Sequence, residues 1–147
     1  MGNRAEAWAE LDSITPEQQA HPAVLDVRWT LCIGEKKWDE AFRAAQQLLA
    51  VAPDDPSAWL HSAYALRRMK GGGLAQAQAF LLSAAAKFPE EPIIAFNLAC
   101  YACQLNQLEE ASRWFARACE IGGKKEIRAM ALADEDLKLL WPEIRAT

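Results

Sequence analysis

An all-α repeat fold is predicted for this 147-residue chain by three features of its sequence. Pro22, Pro56 and Pro92 stand 34 and 36 residues apart, each behind a residue able to end a turn, as in His21-Pro22, Asp55-Pro56 and Glu91-Pro92. Pro53, Pro89 and Gly123 keep the complementary beat of 36 and 34 and stop helices. Proline is tolerated at the first helical position because its missing N–H has no partner there. Small and apolar residues share the period: Ala41, Ala77 and Ala111 are equivalent, as are Trp38, Leu74 and Leu108, then Ala45, Leu81 and Phe115, and Leu48, Ala84 and Ala118. Trp59 answers Leu25 and Ala95 near the start of each period. Within a period apolar residues fall three or four apart, the spacing of a helix with one buried face.

The elements follow in order. Residues 3–14 form an amphipathic capping helix with Trp8 and Leu11 on its apolar side, and Thr15-Pro16 reads as an N-cap with the first position of a further helix. Three repeats then span 22–55, 56–91 and 92–123. In Phe80-Leu81-Leu82-Ser83-Ala84-Ala85-Ala86 nearly every side is apolar or small, which suits a helix packed on two sides. Residues 124–147 hold a partial fourth repeat, with Ile127, Met130 and Ala131 at the expected offsets, and Asp134 capping a last helix with Leu137, Leu140 and Trp141. Repeat arrays need atypical terminal elements to cover their exposed core faces. The chain therefore reads as one complete domain, 1–147.

Composition narrows the function classes. A hydrophobic fraction of 52% excludes a disordered chain, and much of it is alanine, the best helix former. The net charge is −4 and no dense Lys/Arg run occurs, so nucleic acid is not the expected partner. No stretch approaches the roughly 20 apolar residues needed to span a bilayer. Met1-Gly2-Asn3-Arg4-Ala5-Glu6 has neither the apolar region of a signal peptide nor the Ser/Thr of a myristoylation signal. A cytoplasmic location with reduced thiols is the expectation.

Ser57-Ala58-Trp59-Leu60-His61-Ser62-Ala63-Tyr64-Ala65-Leu66, through Ala77 to Pro89, resembles a tetratricopeptide repeat. So does Ile93-Ile94-Ala95-Phe96-Asn97-Leu98-Ala99-Cys100-Tyr101 with Leu108-Glu109-Glu110-Ala111 and Ala118. The resemblance implies a right-handed superhelix of about three helix-turn-helix repeats with capping helices at both ends. The first repeat matches least, because Arg28 and Trp29 stand where the family prefers Leu and a small residue. That departure makes Trp29 a candidate exposed apolar position.

The same resemblance implies a protein-binding role, with the first helix of each repeat lining a concave groove. The family's groove positions carry over to Ser57, Leu60, His61, Tyr64, Arg67 and Arg68 in the second repeat, and to Ile93, Phe96, Asn97, Cys100, Cys103 and Gln104 in the third. In the fourth first-helix they include Lys125, Arg128 and Leu132. The first repeat supplies only Ala23, Asp26, Val27, Thr30, Ile33 and Gly34. The expected partner is an extended peptide of another protein, its apolar anchor near Tyr64 and Phe96, Asn97 clamping backbone and Lys125 or Arg128 holding an acidic group. Residues of the chaperone-binding clamp are not matched: in register the positions are Asp26, Thr30, His61, Ile93 and Asn97. A last helix folded over the groove, filling it, is the competing structural reading.

No enzyme chemistry is expected. His21 reads as a cap, His61 as a groove residue, and no Ser/His/Asp or Cys/His pattern is present. Cys100-Tyr101-Ala102-Cys103 is a C-x-x-C, but neither Cys32 nor Cys119 supplies a second pair at zinc spacing, and the motif lies mid-helix rather than after a strand. Two buried small hydrophobes are the simpler reading, and a metal or redox sensor the remote one. Gly71-Gly72-Gly73 lacks the Lys-Ser/Thr of a phosphate loop and reads as a flexible connection. Trp8, Trp38, Trp59, Trp114 and Trp141 fall at inward positions and read as core. No cofactor or metal is expected. Self-association through exposed apolar positions such as Trp29 is the alternative to peptide binding.

Overall fold

The computed structural model describes residues 2–147, and they are all-α: no strand occurs among them. The helices are α1 (Gly2–Ser13), α2 (Pro22–Gly34), α3 (Trp38–Val51), α4 (Pro56–Arg68), α5 (Leu74–Lys87), α6 (Pro92–Gln104), α7 (Leu108–Gly122) and α8 (Lys124–Leu132). A 3₁₀ helix, Glu135–Leu140, and α9 (Trp141–Ala146) follow. No helix is long and apolar enough to cross a membrane among the described residues.

The prolines act where the sequence places them. Pro22, Pro56 and Pro92 each open a helix. His21 caps α2 by accepting the Ala23 N–H at Nδ1 (3.1 Å), and the Asp55 carboxylate accepts the Ser57 N–H (2.9 Å). Each bond satisfies a donor that the helix cannot. Thr15-Pro16 behaves differently and opens no helix. Gln18 and Gln19 donate to the Thr15 carbonyl, and the chain makes one turn before His21 restarts it. The Gln19 side chain fixes that turn by donating to the carbonyls of Leu11 (2.7 Å) and Ile14 (3.1 Å).

Two compact units emerge, Met1–Gly73 and Leu74–Thr147. In the first, α1 packs on α2, α2 on α3 and α3 on α4. Its interior joins Trp29 and Cys32 to Ala41, Ala44, Ala45 and Ala65, with a second cluster of Leu25, Leu48 and Ala58. The only buried polar residue among those described, Ser62, donates to the Ala58 carbonyl (2.8 Å) and accepts from Gln46 Nε2 (3.1 Å), so its hydroxyl is satisfied. Gly71-Gly72-Gly73 is a built turn. The Gly73 N–H donates to the Leu66 carbonyl, and a Cβ on Gly72 would collide with that same oxygen. Glycine is required there by close backbone approach.

In the second unit α5 packs on α6, α6 on α7 and α7 on α8. The 3₁₀ helix lies against α6 and α7, and α9 against α8. Asp134 caps the 3₁₀ helix through the Asp136 N–H (3.0 Å), and Leu137, Leu140 and Ile144 are buried. Ala77, Ala84, Ala111, Ala118 and Ala131 are wholly buried.

The tryptophans reverse the sequence expectation. Trp8, Trp38, Trp59, Trp114 and Trp141 are only half-buried, while Trp29, expected exposed, is the buried one. Only Trp29 enters an alanine-lined interior, and the other five indoles lie part-exposed at the surface. There the N–H finds an acceptor, as Trp59 does on Pro53 O (3.2 Å) and Trp141 on Ala131 O (2.8 Å).

Candidate functional site: an aromatic and cationic patch on α4

His61, Tyr64 and Arg68 occupy positions i, i+3 and i+7 of α4 and so share one face. Asp26 and Trp29 sit one turn apart on α2, and Trp38 is the first residue of α3. Packing of α2, α3 and α4 brings the six together.

The geometry is specific. The His61 ring stacks on Trp29 at 3.8 Å between centroids and 12° between planes. Its Nε2 lies 2.9 Å from Asp26 Oδ1, and the Trp29 indole N–H donates to the His61 carbonyl (3.2 Å). Tyr64 meets Trp29 edge-on (5.7 Å, 67°) and Trp38 at a tilt (6.3 Å, 58°). Arg68 lies over the Tyr64 ring at 3.7 Å and 5.6 Å from the Trp38 centroid, with Nη1 donating to the Tyr64 carbonyl (2.9 Å). Aromatic pairs of this kind contribute about 0.5–1.5 kcal/mol beyond area burial, and an exposed cation–π contact about 0.5–1. Tyr64 is thus fixed from three sides while 38% of its surface stays open to solvent.

Such a patch offers a rigid aromatic face and, beside it, a guanidinium with N–H groups left for an acceptor. Rigid aromatic and Arg anchors lose little entropy on binding and dominate interface energetics. Leu60 and Arg67, the other expected residues of α4, are half-buried.

The expected residues of the second unit are arranged otherwise. Phe96 and Cys100, read as groove contacts, are interior, 4% and 3% exposed, and the 3₁₀ helix lies on α6. Gln104 is exposed, and its side-chain amide donates to the Asp136 carbonyl (3.1 Å), fastening that segment. Asn97 is half-buried and Lys125 exposed. Arg128 donates through Nη2 to the Arg145 carbonyl (3.2 Å). Within this unit the 3₁₀ helix therefore covers part of α6.

Both thiols of the C-x-x-C are buried with it. Cys103 sits against the main-chain N–H groups of Leu139 and Leu140, yet burial pushes its thiol up from the ordinary range. Ligand atoms of Cys100, Asp134 and Asp136 lie within 4.8 Å of one another. The Asp134 carboxylate is already engaged there, accepting from the Asp136 N–H and, at 3.8 Å, from the Cys100 thiol. Cys103 is not part of that group.

Sequence reasoning named His61, Tyr64 and Arg68 but not Trp29 and Trp38, which pack against them. The usable signal was the charge at Arg28 beside Trp29. A helix face carries either the cation or the indole outward, and Arg28 faces Gln19 and Trp8.

Comparison with family models, with curated proteins and with solved structures finds no match to this chain.

Proposed function

We propose that the chain is a non-catalytic protein-interaction module of tetratricopeptide type, cytoplasmic, that binds an extended peptide of another protein through the α4 face. The observation that carries this reading is the Tyr64 ring, held by Trp29, Trp38 and Arg68 and still open to solvent. A solvent-exposed aromatic normally gains by turning inward. One that is braced outward by three partners is preorganised for contact.

The repeat reading has its own support. Alanines at equivalent positions, Ala41, Ala77 and Ala111, are all wholly buried. The α2–α3 and α6–α7 connections, two periods apart, are also built alike. Lys37 donates to Cys32 O and Gln107 to Ala102 O, and Lys36 and Asn106 both adopt left-handed φ, 59° and 61°. Self-association through Trp29 loses its basis, since that indole is interior.

The test is selection from a random-peptide display library on immobilised wild type beside Tyr64→Ala and Arg68→Ala, each checked for folding by circular dichroism. Sequences enriched on the wild type and lost on Tyr64→Ala are expected. Equal enrichment on all three would place binding elsewhere, and no enrichment at all would defeat the reading.

A further inference from the structure

The second unit holds an open cavity of about 550 Å³ against α8, lined by Lys124, Lys125, Arg128, Ala129, Leu132 and Thr147. Its lining side chains carry three cations and no acid, and the α-carboxylate of Thr147 lies among them, engaged by Lys124. The acid nearest in sequence, Glu126, is not part of that lining, and its carboxylate lies close to Gly123, where a Cβ would meet it. Lys124 donates to the main-chain oxygen of Thr147 (3.3 Å), while Lys125 is exposed and makes no ion pair or hydrogen bond among the described residues.

Arg128 is the unusual member. Its guanidinium is half-buried and anchored through Nη2 on Arg145 O, it pairs with no side-chain carboxylate among the described residues, and its Nε–H is buried without an acceptor. A cation drawn into the protein with neither counter-charge nor a full set of acceptors is costly. The cost is offset when a ligand brings negative charge to the exposed edge of the same guanidinium, where the charge is delocalised over all three nitrogens.

We propose that this cavity is an oxyanion-binding site. It takes a phosphoryl or carboxylate group, with Arg128 supplying directional N–H donors, Lys125 supplying charge, and Ala129 and Leu132 contacting a short apolar stem; Lys124 stays with Thr147. The site lies in the other unit from the α4 patch and does not depend on peptide binding there.

Nitrogen-15 NMR of the full chain tests it, with sodium phosphate and sodium butyrate titrated separately against sodium chloride at matched ionic strength. The expected result is a saturable shift of the α8 amides and the Arg128 Nε–H, with affinity weakened about tenfold in Lys125→Ala. Lys125 is exposed and without partners, so its removal leaves the fold intact. Saturation by phosphate alone identifies a phosphoryl ligand, and by butyrate alone a carboxylate. Shifts that chloride reproduces, that do not saturate, or that Lys125→Ala leaves unchanged would overturn the proposal.

Discussion

The imidazole of His61 lies flat on the indole of Trp29, 3.8 Å between centroids, and so closes over the one tryptophan that this fold buries. The pair joins α2 to α4 and sets the height at which Tyr64 emerges. Its two members differ in what they contribute. Trp29 fills volume in an interior otherwise made of alanines and Cys32, so Trp29→Ala should cost about 3–5 kcal/mol. His61→Phe keeps the stacked ring and loses only the contact with the exposed Asp26 carboxylate, which contributes no more than about 1 kcal/mol. Urea unfolding of the two variants beside the wild type measures both. Comparable losses would mean that the contact with Asp26, and not ring packing, joins the helices.

How much of this was legible in the sequence differs by residue. Pro22, Pro56 and Pro92 act locally and open helices as read, and His21 caps α2 as read; Asp55, read only as ending a turn, caps α4 as well. The alanines were legible too, because a small residue on a fixed beat leaves few other reasons for its recurrence. Trp29 was not, since its burial depends on His61, 32 residues away, folding down on it. Phe96 and Cys100 were placed on a surface because nothing in a repeat pattern says where residues 135–140 will lie. That fold-back rests on contacts such as Gln104 to Asp136 O, which carry no periodic signature.

Ala111 tests the close approach of α6 and α7. It is wholly buried in α7, on the helix that packs against α6. Ala111→Leu should therefore overpack and cost about 1–3 kcal/mol, read as a lowered denaturant midpoint. A variant that melts with the wild type would show that the helices can part there without penalty.

Lys36 and Asn106 carry left-handed backbone in matching turns, and the residue types make them unequal. A side chain with a Cβ is held there at roughly 1–2 kcal/mol, a cost that glycine avoids and asparagine partly escapes. Part of the gain from glycine is returned as freedom of the unfolded chain. Lys36→Gly should raise stability by about 0.5–1 kcal/mol, and Asn106→Gly by less. The order of the two, measured by thermal melting, is the diagnostic, and a destabilised Lys36→Gly would refute it.

Burial raises the thiols of Cys32, Cys103 and Cys119, with the Glu40 carboxylate adding to the effect at Cys32. Folding then favours the neutral thiol, and the unfolded chain ionises first. The sign follows: stability is unaffected by these groups below the unfolded thiol range, near about 8.5, and is lost as pH rises from there toward the higher folded values. Urea midpoints should hold level through neutral pH and fall on the alkaline side, and Cys32→Ala should make that fall shallower. Alkylation read by mass spectrometry supplies the second arm. At neutral pH the half-buried Cys119 should react first, while Cys32 and Cys103 should react only as fast as their units open. Rapid labelling of Cys103 in the folded protein would mean that residues 135–140 lift from α6 on their own, and would return the inward face of that helix to the list of binding surfaces.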